Sequence, residues 1–194
     1  MKNGKHTNRG RGSGRKPSAK NMAPHESTPE SLKKLYEEDL KDIYWAENHL
    51  LETLPRMAGA AESSELRIAF EGHLAQTKDH ISRLEHVFES SGLKVSAKKC
   101  EGMEGLTKEG DALIKSHVKG CVRDSGLIIA GQKVEHYKIA AYGSLRTLAQ
   151  VMKLEEAAGV LQETLDEEGS ANRLLTGLSR TINEQAFNQA GVVK

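Results

Sequence analysis

Four ionisable side chains interrupt otherwise apolar helical stripes in this sequence: Glu47, His73, Glu135 and Glu168. Each lies three or four residues from a leucine, isoleucine or phenylalanine, the spacing at which side chains share one face of a helix. A buried carboxylate without a partner is so costly that it normally takes up a proton. A divalent ion offsets that cost, because carboxylate oxygens and imidazole nitrogens are natural ligands for iron, manganese or zinc. The pattern therefore predicts a metal site with three glutamate ligands and one histidine ligand.

Each of these residues also has a simpler explanation when it is taken alone. A glutamate on an apolar stripe is commonly at its edge with its carboxylate in water, and Glu168 belongs to the acidic run Asp166–Glu168. A single histidine such as His73 is more often hydrogen-bonded in a core than bound to metal. The metal interpretation gains from coincidence, because all four predicted long helices carry one such residue near the middle. Inward polar residues can also satisfy one another, so a metal-free core stays open.

Other polar residues are weaker candidates. His136 follows Glu135 directly but points about 100° away around a helix, so it could flank the site or bond to a carboxylate. Tyr142 lies seven residues after Glu135 on the same face and could donate to a ligand or simply pack. Three further histidines are scattered along the chain: His80, His86 and His117. GxSxG, Walker and GxGxxG patterns are absent, so hydrolase and nucleotide-binding classes have no support.

Periodic apolar residues predict four long helices that must position these side chains. The first begins at Thr28 and Pro29, and its stripe runs from Leu32 through Leu35 to Leu54. The second follows a loop near Glu62–Ser64 and ends at Gly92. The third begins at Asp124 or Ser125 and runs to about Met152, and the fourth runs from about Leu154 past Glu168.

A connection of about thirty residues joins the second and third helices, and such a long crossover separates ferritin-like bundles from simple up-down bundles. It contains a turn-like Glu101–Gly105 and a predicted short helix near Leu106–His117. Charged residues make up 28% of the chain and aromatic residues only 4%, which favours helices over strands. The sequence thus predicts an all-α, antiparallel, ferritin-like four-helix bundle over residues 28–190.

The N-terminal segment has a different composition. Residues 1–27 carry seven Lys or Arg and one acidic residue, whereas the remainder carries 21 basic and 26 acidic residues. We expect this segment to be a disordered basic tail, and its Arg9–Lys16 run could contact the phosphates of nucleic acid. A solubilising tail is the alternative. Two cysteines, no signal-like segment and no membrane-spanning apolar run predict a cytoplasmic protein.

Several motifs together resemble the YciE/YciF family of bacterial ferritin-like proteins. They include Asp42–Glu47, Thr53–Ala58, Gln132–Tyr137, Ile139–Gly143 and Thr164–Glu168, within a match that covers nearly all of residues 30–180. The resemblance implies a cytoplasmic protein linked to general or osmotic stress, with a rubrerythrin-like bundle and a tendency to form homodimers. It also implies a di-metal centre, although members of this family have no well-established reaction.

The chain departs from that family pattern at three positions. Acids commonly stand where this sequence has Gln76, Lys138 and Asn172. Lys138 lies one turn from Glu135, and its ammonium could replace one metal ion by pairing with Glu135 or Glu168. We therefore expect a weakened site that holds one metal ion or none.

Two functions follow from these observations. A stress protein with iron in its core could react with oxygen or a peroxide, and the sequence fixes neither a substrate nor whether the protein is an enzyme. The alternative is a metal-free helical adaptor whose basic tail, residues 1–27, binds nucleic acid or an acidic partner.

Overall fold

The structure, a computed structural model, describes residues 27–190 and contains five α-helices and no strand within that range. The helices are α1 Pro29–Ala60, α2 Ser64–Ser90, α3 Glu101–Ser116, α4 Cys121–Val151 and α5 Glu155–Ala190. The predicted all-α fold is therefore confirmed for these residues. The basic tail predicted over residues 1–27 lies, apart from Ser27, outside the described residues.

The four long helices pack in a closed order, with α1 against α2, α2 against α5, α5 against α4, and α4 against α1. Connections of only three residues, 61–63 and 152–154, join α1 to α2 and α4 to α5. The short helix α3 lies in the connection from α2 to α4 and packs on α4 and α1. None of the helices in this part of the chain combines the length and the apolar character needed to cross a membrane.

Two of the predicted helix ends are confirmed. Thr28 caps α1, because its Oγ1 accepts from the backbone N of Ser31 at 3.2 Å while the Ser31 hydroxyl oxygen accepts from the Thr28 backbone N at 2.9 Å. At the end of α2, Gly92 follows the C-cap residue Ser91 and adopts a φ of 69°. The Leu93 backbone N then donates to the Phe88 carbonyl at 2.8 Å, which closes the helix end.

The prediction for the crossover was wrong in detail. Glu101–Gly105 is the first turn of α3 and not a separate turn, so the helix begins five residues before Leu106. Cys100 provides the cap, since its Sγ accepts from the backbone N of Met103 at 3.2 Å. Two glycines in this turn, Gly102 and Gly105, made a helix start look unfavourable from the sequence.

The start of α4 was also wrong. The helix begins at Cys121, before both residues that were predicted to cap it, Asp124 and Ser125. The Asp124 carboxylate instead accepts from the backbone N atoms of Glu62 at 2.9 Å and Ser63 at 2.7 Å. Its acidic side chain therefore stabilises the entry to α2, which lies far away in the sequence.

Candidate metal centre

The four side chains predicted as ligands come from four different helices: Glu47 from α1, His73 from α2, Glu135 from α4 and Glu168 from α5. All are buried, with at most 5% of the surface of each residue exposed. The helical repeat explains why these side chains are buried. Ile43 and Leu50, which lie one turn before and one turn after Glu47, are themselves fully buried.

The packing of these helices brings the ligand atoms close together. Nε2 of His73 lies 3.3 Å from Oε1 of Glu135 and 3.7 Å from Oε2 of Glu168. Two overlapping groups of side chains have their ligand atoms within 4.8 Å of one another: Glu47, His80 and Glu168, and His73, Glu135 and Glu168. Each group could hold a metal ion, and Glu168 belongs to both.

A fully buried lysine lies among these acids. Nζ of Lys138 is 2.6 Å from Oε1 of Glu168, 3.2 Å from Oε2 of Glu47 and 3.2 Å from Nε2 of His73. Burial alone would lower the pKa of Lys138, but the charges of Glu168, Glu47 and Glu135 outweigh it and raise that pKa above its ordinary value. The expected pairing of Lys138 with Glu168 is present, and Lys138 is a cation built into the cluster.

His80 is the second built-in cation, although in the sequence it stands out only as one of the scattered histidines. Its Nδ1 lies 2.9 Å from Oε1 of Glu168, and its Nε2 lies 2.8 Å from Oε2 of Glu167. Both ring nitrogens therefore face carboxylates, and Arg83 holds Glu167 in place through two contacts of 2.9 Å. Burial lowers the pKa of His80, but its contacts with Glu168 and Glu47 outweigh it and raise the pKa to about 9.

Unlike His80, His73 is in its neutral form. Its Nδ1 lies 3.3 Å from the Oε1 of Gln76, which can only accept, so Nδ1 carries the proton. The lone pair on Nε2 then faces the Lys138 ammonium. Burial and the charge of Lys138 together lower the pKa of His73 to about 4. His73 is accordingly neutral, which is the form in which imidazole binds metals, and its Nε2 lone pair accepts from Lys138.

Glu135 and Glu168 differ in charge although they are neighbours. Burial raises the pKa of Glu135 well above its ordinary value against the opposing charge of Lys138, and the hydrogen bond and charge of Glu168 and the charge of Glu47 raise it further. For Glu168 burial also raises the pKa, but the charge of Lys138 and the contact with His80 outweigh it and leave the pKa well below ordinary. Glu135 therefore carries the proton, and Glu168 is ionised.

Glu47 has a hydrogen-bond donor in addition to Lys138. Tyr142, fully buried one helical turn beyond Lys138, donates from its hydroxyl to Oε1 of Glu47 at 2.7 Å. Burial and the charge of Glu47 raise the pKa of Tyr142 well above its ordinary value, so the hydroxyl stays a donor. Of the two roles that the sequence left open for Tyr142, hydrogen bonding to a candidate ligand is the one observed.

The remaining histidine candidates lie elsewhere. His136 is exposed and does not flank the cluster, because its position turns it away from the face of Glu135. His86 is also exposed and contacts Glu156 at 2.9 Å. His117 is exposed and contacts Ser116 at the end of α3.

Comparison with known proteins places the chain in a family. The model of a family described as a domain of unknown function, DUF892, matches residues 31–188. The chain belongs to the DUF892 family. Protein YciF of Escherichia coli K12 is 44% identical over 153 residues, which is 78% of this chain and 92% of YciF.

Solved structures agree with this DUF892 assignment. The crystal structure of the Escherichia coli stress protein YciF superposes with a TM-score of 0.77 at 41% identity and covers 79% of this chain and 98% of YciF. The structure of YcfI from Rhodopseudomonas palustris superposes with a TM-score of 0.73 at 34% identity, over 75% of this chain and 92% of YcfI.

The residues of this DUF892 chain fit one metal ion better than two. The Lys138 ammonium contacts two members of each group, Glu47 and Glu168 in one and His73 and Glu168 in the other, so the chain itself supplies one cation to the cluster. Both groups contain buried carboxylate oxygens without a hydrogen-bond partner, namely those of Glu47, Glu135 and Glu168. Of these three acids, Glu135 is the one that forms no salt bridge with Lys138 or His80, so its position beside His73 suits an added ion.

Proposed function

We propose that this chain is a ferritin-like stress protein whose four long helices form an antiparallel bundle and whose core binds one divalent metal ion. The proposed ligands are His73, Glu135 and Glu168. The observation that carries the proposal is that Glu135, whose Oε2 is buried without a hydrogen-bond partner, belongs with His73 and Glu168 to a group of side chains whose ligand atoms lie within 4.8 Å of one another. Glu47, the fourth residue expected to bind metal, is assigned to holding Lys138.

The surrounding side chains prepare this group for an ion. Gln76 fixes the tautomer of His73, so that Nε2 presents its lone pair. Lys138 and His80 hold Glu168 in its ionised form and restrict its position. The proton on Glu135 has to leave when an ion binds, so we expect metal affinity to rise with pH. Iron at this position would supply chemistry with oxygen or a peroxide.

The test is metal content. Protein purified without chelator, or stripped and then loaded with iron, manganese or zinc, is expected to keep one ion per chain after gel filtration. Glu135→Gln is expected to lose that ion, because an amide is a poor ligand and carries no charge. Glu71→Gln, a matched change at an exposed position of α2 two residues from His73, is expected to keep it. Absence of a retained ion with all three metals would refute the proposal.

A second function is favoured by a different observation. Without any metal, Lys138 and His80 balance the charges of Glu47 and Glu168, and Glu135 and His73 are neutral. Such a core can serve a metal-free adaptor whose basic segment, residues 1–27, contacts nucleic acid or an acidic partner. That function predicts binding that weakens steeply with salt. Equal binding by protein lacking residues 1–27 would reject it.

The cytoplasmic location and the homodimer stay predictions. Size-exclusion chromatography with light scattering on the full chain tests the dimer directly.

A further inference from the structure

Lys138 contacts two of the three residues that are proposed to hold the ion. Its Nζ lies 3.2 Å from Nε2 of His73 and 2.6 Å from Oε1 of Glu168. The other oxygen of Glu168, Oε2, is the one that faces Nε2 of His73, at 3.7 Å. When an ion takes the lone pair of Nε2, the ammonium gives up that contact and keeps Oε1 of Glu168 and Oε2 of Glu47. The chain therefore holds a positive charge directly beside the proposed ion.

The charge of Lys138 would act on the ion at short range. Metal ions bind imidazole nitrogen and carboxylate oxygen at about 2.0–2.2 Å, so an ion on these atoms would lie roughly 5 Å from Nζ. Lys138 and Glu168 are fully buried, and His73 is 5% exposed. Charges in such an interior are screened much less by dissolved salt than charges at the surface. The repulsion between the ammonium and the ion is therefore a large part of the binding free energy.

The acids of the cluster leave one negative charge for the ion. Glu168 contacts both built-in cations, Lys138 and His80. Glu47 contacts the same two cations, so two acids and two cations balance. Glu135 forms no salt bridge with either cation and contributes one further charge after it has lost its proton. A divalent ion then leaves one excess positive charge in the buried centre, and a trivalent ion leaves two.

We propose that Lys138 selects the valence of the bound ion, so that the centre holds a divalent ion and disfavours a trivalent ion. The inference rests on the proposed metal site and adds the class of ion that the site accepts. One further unit of charge roughly 5 Å from an ammonium lowers the binding constant roughly a hundredfold at an effective dielectric constant of about 20. Iron held here accordingly favours its ferrous form over its ferric form.

Zinc and gallium test this selectivity, because each keeps one oxidation state in water and both bind nitrogen and oxygen ligands. The full-length chain is stripped of metal and equilibrated with Zn²⁺ and Ga³⁺ at fixed, citrate-buffered concentrations. Native mass spectrometry then gives the amount of chain that carries one zinc ion or one gallium ion. The ratio of gallium to zinc is compared between variants and wild type, because the two ions differ in their intrinsic affinity for carboxylates.

Two variants change the charge of the centre in opposite directions. Lys138→Met removes the ammonium, so we expect the gallium-to-zinc ratio to rise roughly a hundredfold. Glu47→Gln removes a negative charge without altering a proposed ligand, and its ratio should fall at least about tenfold. Lys133→Met is the matched control, because Lys133 lies on the same helix as Lys138 and pairs with Glu109 at the surface. Its ratio should stay within about twofold of the wild-type ratio.

The inference is overturned by an unchanged ratio in Glu47→Gln, or by an unchanged ratio in a folded Lys138→Met chain. Circular dichroism shows whether Lys138→Met folds, and if it does not, Glu47→Gln decides alone. Wild type that retains zinc, combined with unchanged ratios in the variants, overturns this inference and leaves the proposed metal site in place. Wild type that retains neither zinc nor gallium overturns both.

Discussion

Nζ of Lys138 lies 2.6 Å from Oε1 of Glu168, and both side chains are fully buried. This pair joins α4 to α5 through the middle of the core, and a second contact of the same ammonium reaches Glu47 on α1. Two acids from different helices thus share the Lys138 cation, and His80 adds a second cation beside them. Their mutual repulsion in a water-free interior would otherwise oppose the packing of those helices.

Removal of the ammonium is expected to destabilise the protein strongly. In Lys138→Met the side chain keeps its approximate length, but Glu47 and Glu168 lose their partner, and breaking a buried pair costs about 3–5 kcal/mol. Urea unfolding of metal-free protein measures the effect. The control is Lys133→Met on the same helix, where Lys133 pairs with Glu109 at the surface. That change should cost at most about 1 kcal/mol, and equal costs would contradict the role of Lys138.

The hydroxyl of Tyr142 should stabilise the protein through Glu47. A hydrogen bond to a charged group contributes about 1.5–3 kcal/mol, so Tyr142→Phe is expected to lower the free energy of unfolding by that amount. Tyr44→Phe removes a hydroxyl of similar geometry, 2.8 Å from Oε1 of Glu85, at an exposed contact. We expect less than about 0.5 kcal/mol there. A Tyr142→Phe variant as stable as wild type would show that Glu47 does not need this donor.

The two buried histidines should titrate far apart in metal-free protein. His80 is expected to stay protonated up to a pKa of about 9, and His73 is expected to stay neutral down to a pKa of about 4, against an ordinary value of 6.5 for both. Imidazole nitrogen shifts in NMR spectra, assigned with His80→Gln and His73→Gln, report the protonation of each ring. Two titrations near 6.5 would contradict the charge distribution described for the cluster.

These shifts also set a dependence of stability on pH. The pKa of His80 is higher in the folded chain, so its stabilisation is complete below pH 6.5 and is lost as pH rises through about 9. For His73 the folded pKa is lower, so stability falls as pH decreases from 6.5 towards about 4. As the pH rises through about 9, the free energy of unfolding should fall less in His80→Gln than in wild type. The exposed-site control His86→Gln should retain the wild-type slope.

The four acidic and histidine positions could be found from the sequence because each helix buries one continuous face. Glu47, Glu135 and Glu168 lie in register with apolar neighbours, so the helical repeat alone placed them inside. His80 was missed because Ile81, next to it, is apolar and lies four residues after Thr77, so the stripe of α2 can be drawn through either position. In the structure His80 is fully buried and Ile81 is only partly buried, since the favourable partners of His80 are on α5.

The helix starts that were mispredicted share one physical cause. Asp124 looked like a cap for its own helix, but its carboxylate binds backbone N–H groups at Glu62 and Ser63. Cys100 is an unusual cap, and its Sγ also lies 3.0 Å from the hydroxyl of Tyr137 on α4. Contacts of this kind join residues far apart in the sequence, so local residue preferences cannot reveal them.

The number of metal ions in wild type and in Lys138→Glu tests the central claim most directly, namely that Lys138 takes the place of a second ion. Both proteins are stripped, loaded anaerobically with manganese or iron, and analysed by mass spectrometry for metal per chain. Wild type is expected to hold one ion and Lys138→Glu two, because the variant replaces the built-in cation with a further carboxylate ligand. Two ions in wild type, or the same number in both proteins, would contradict the account.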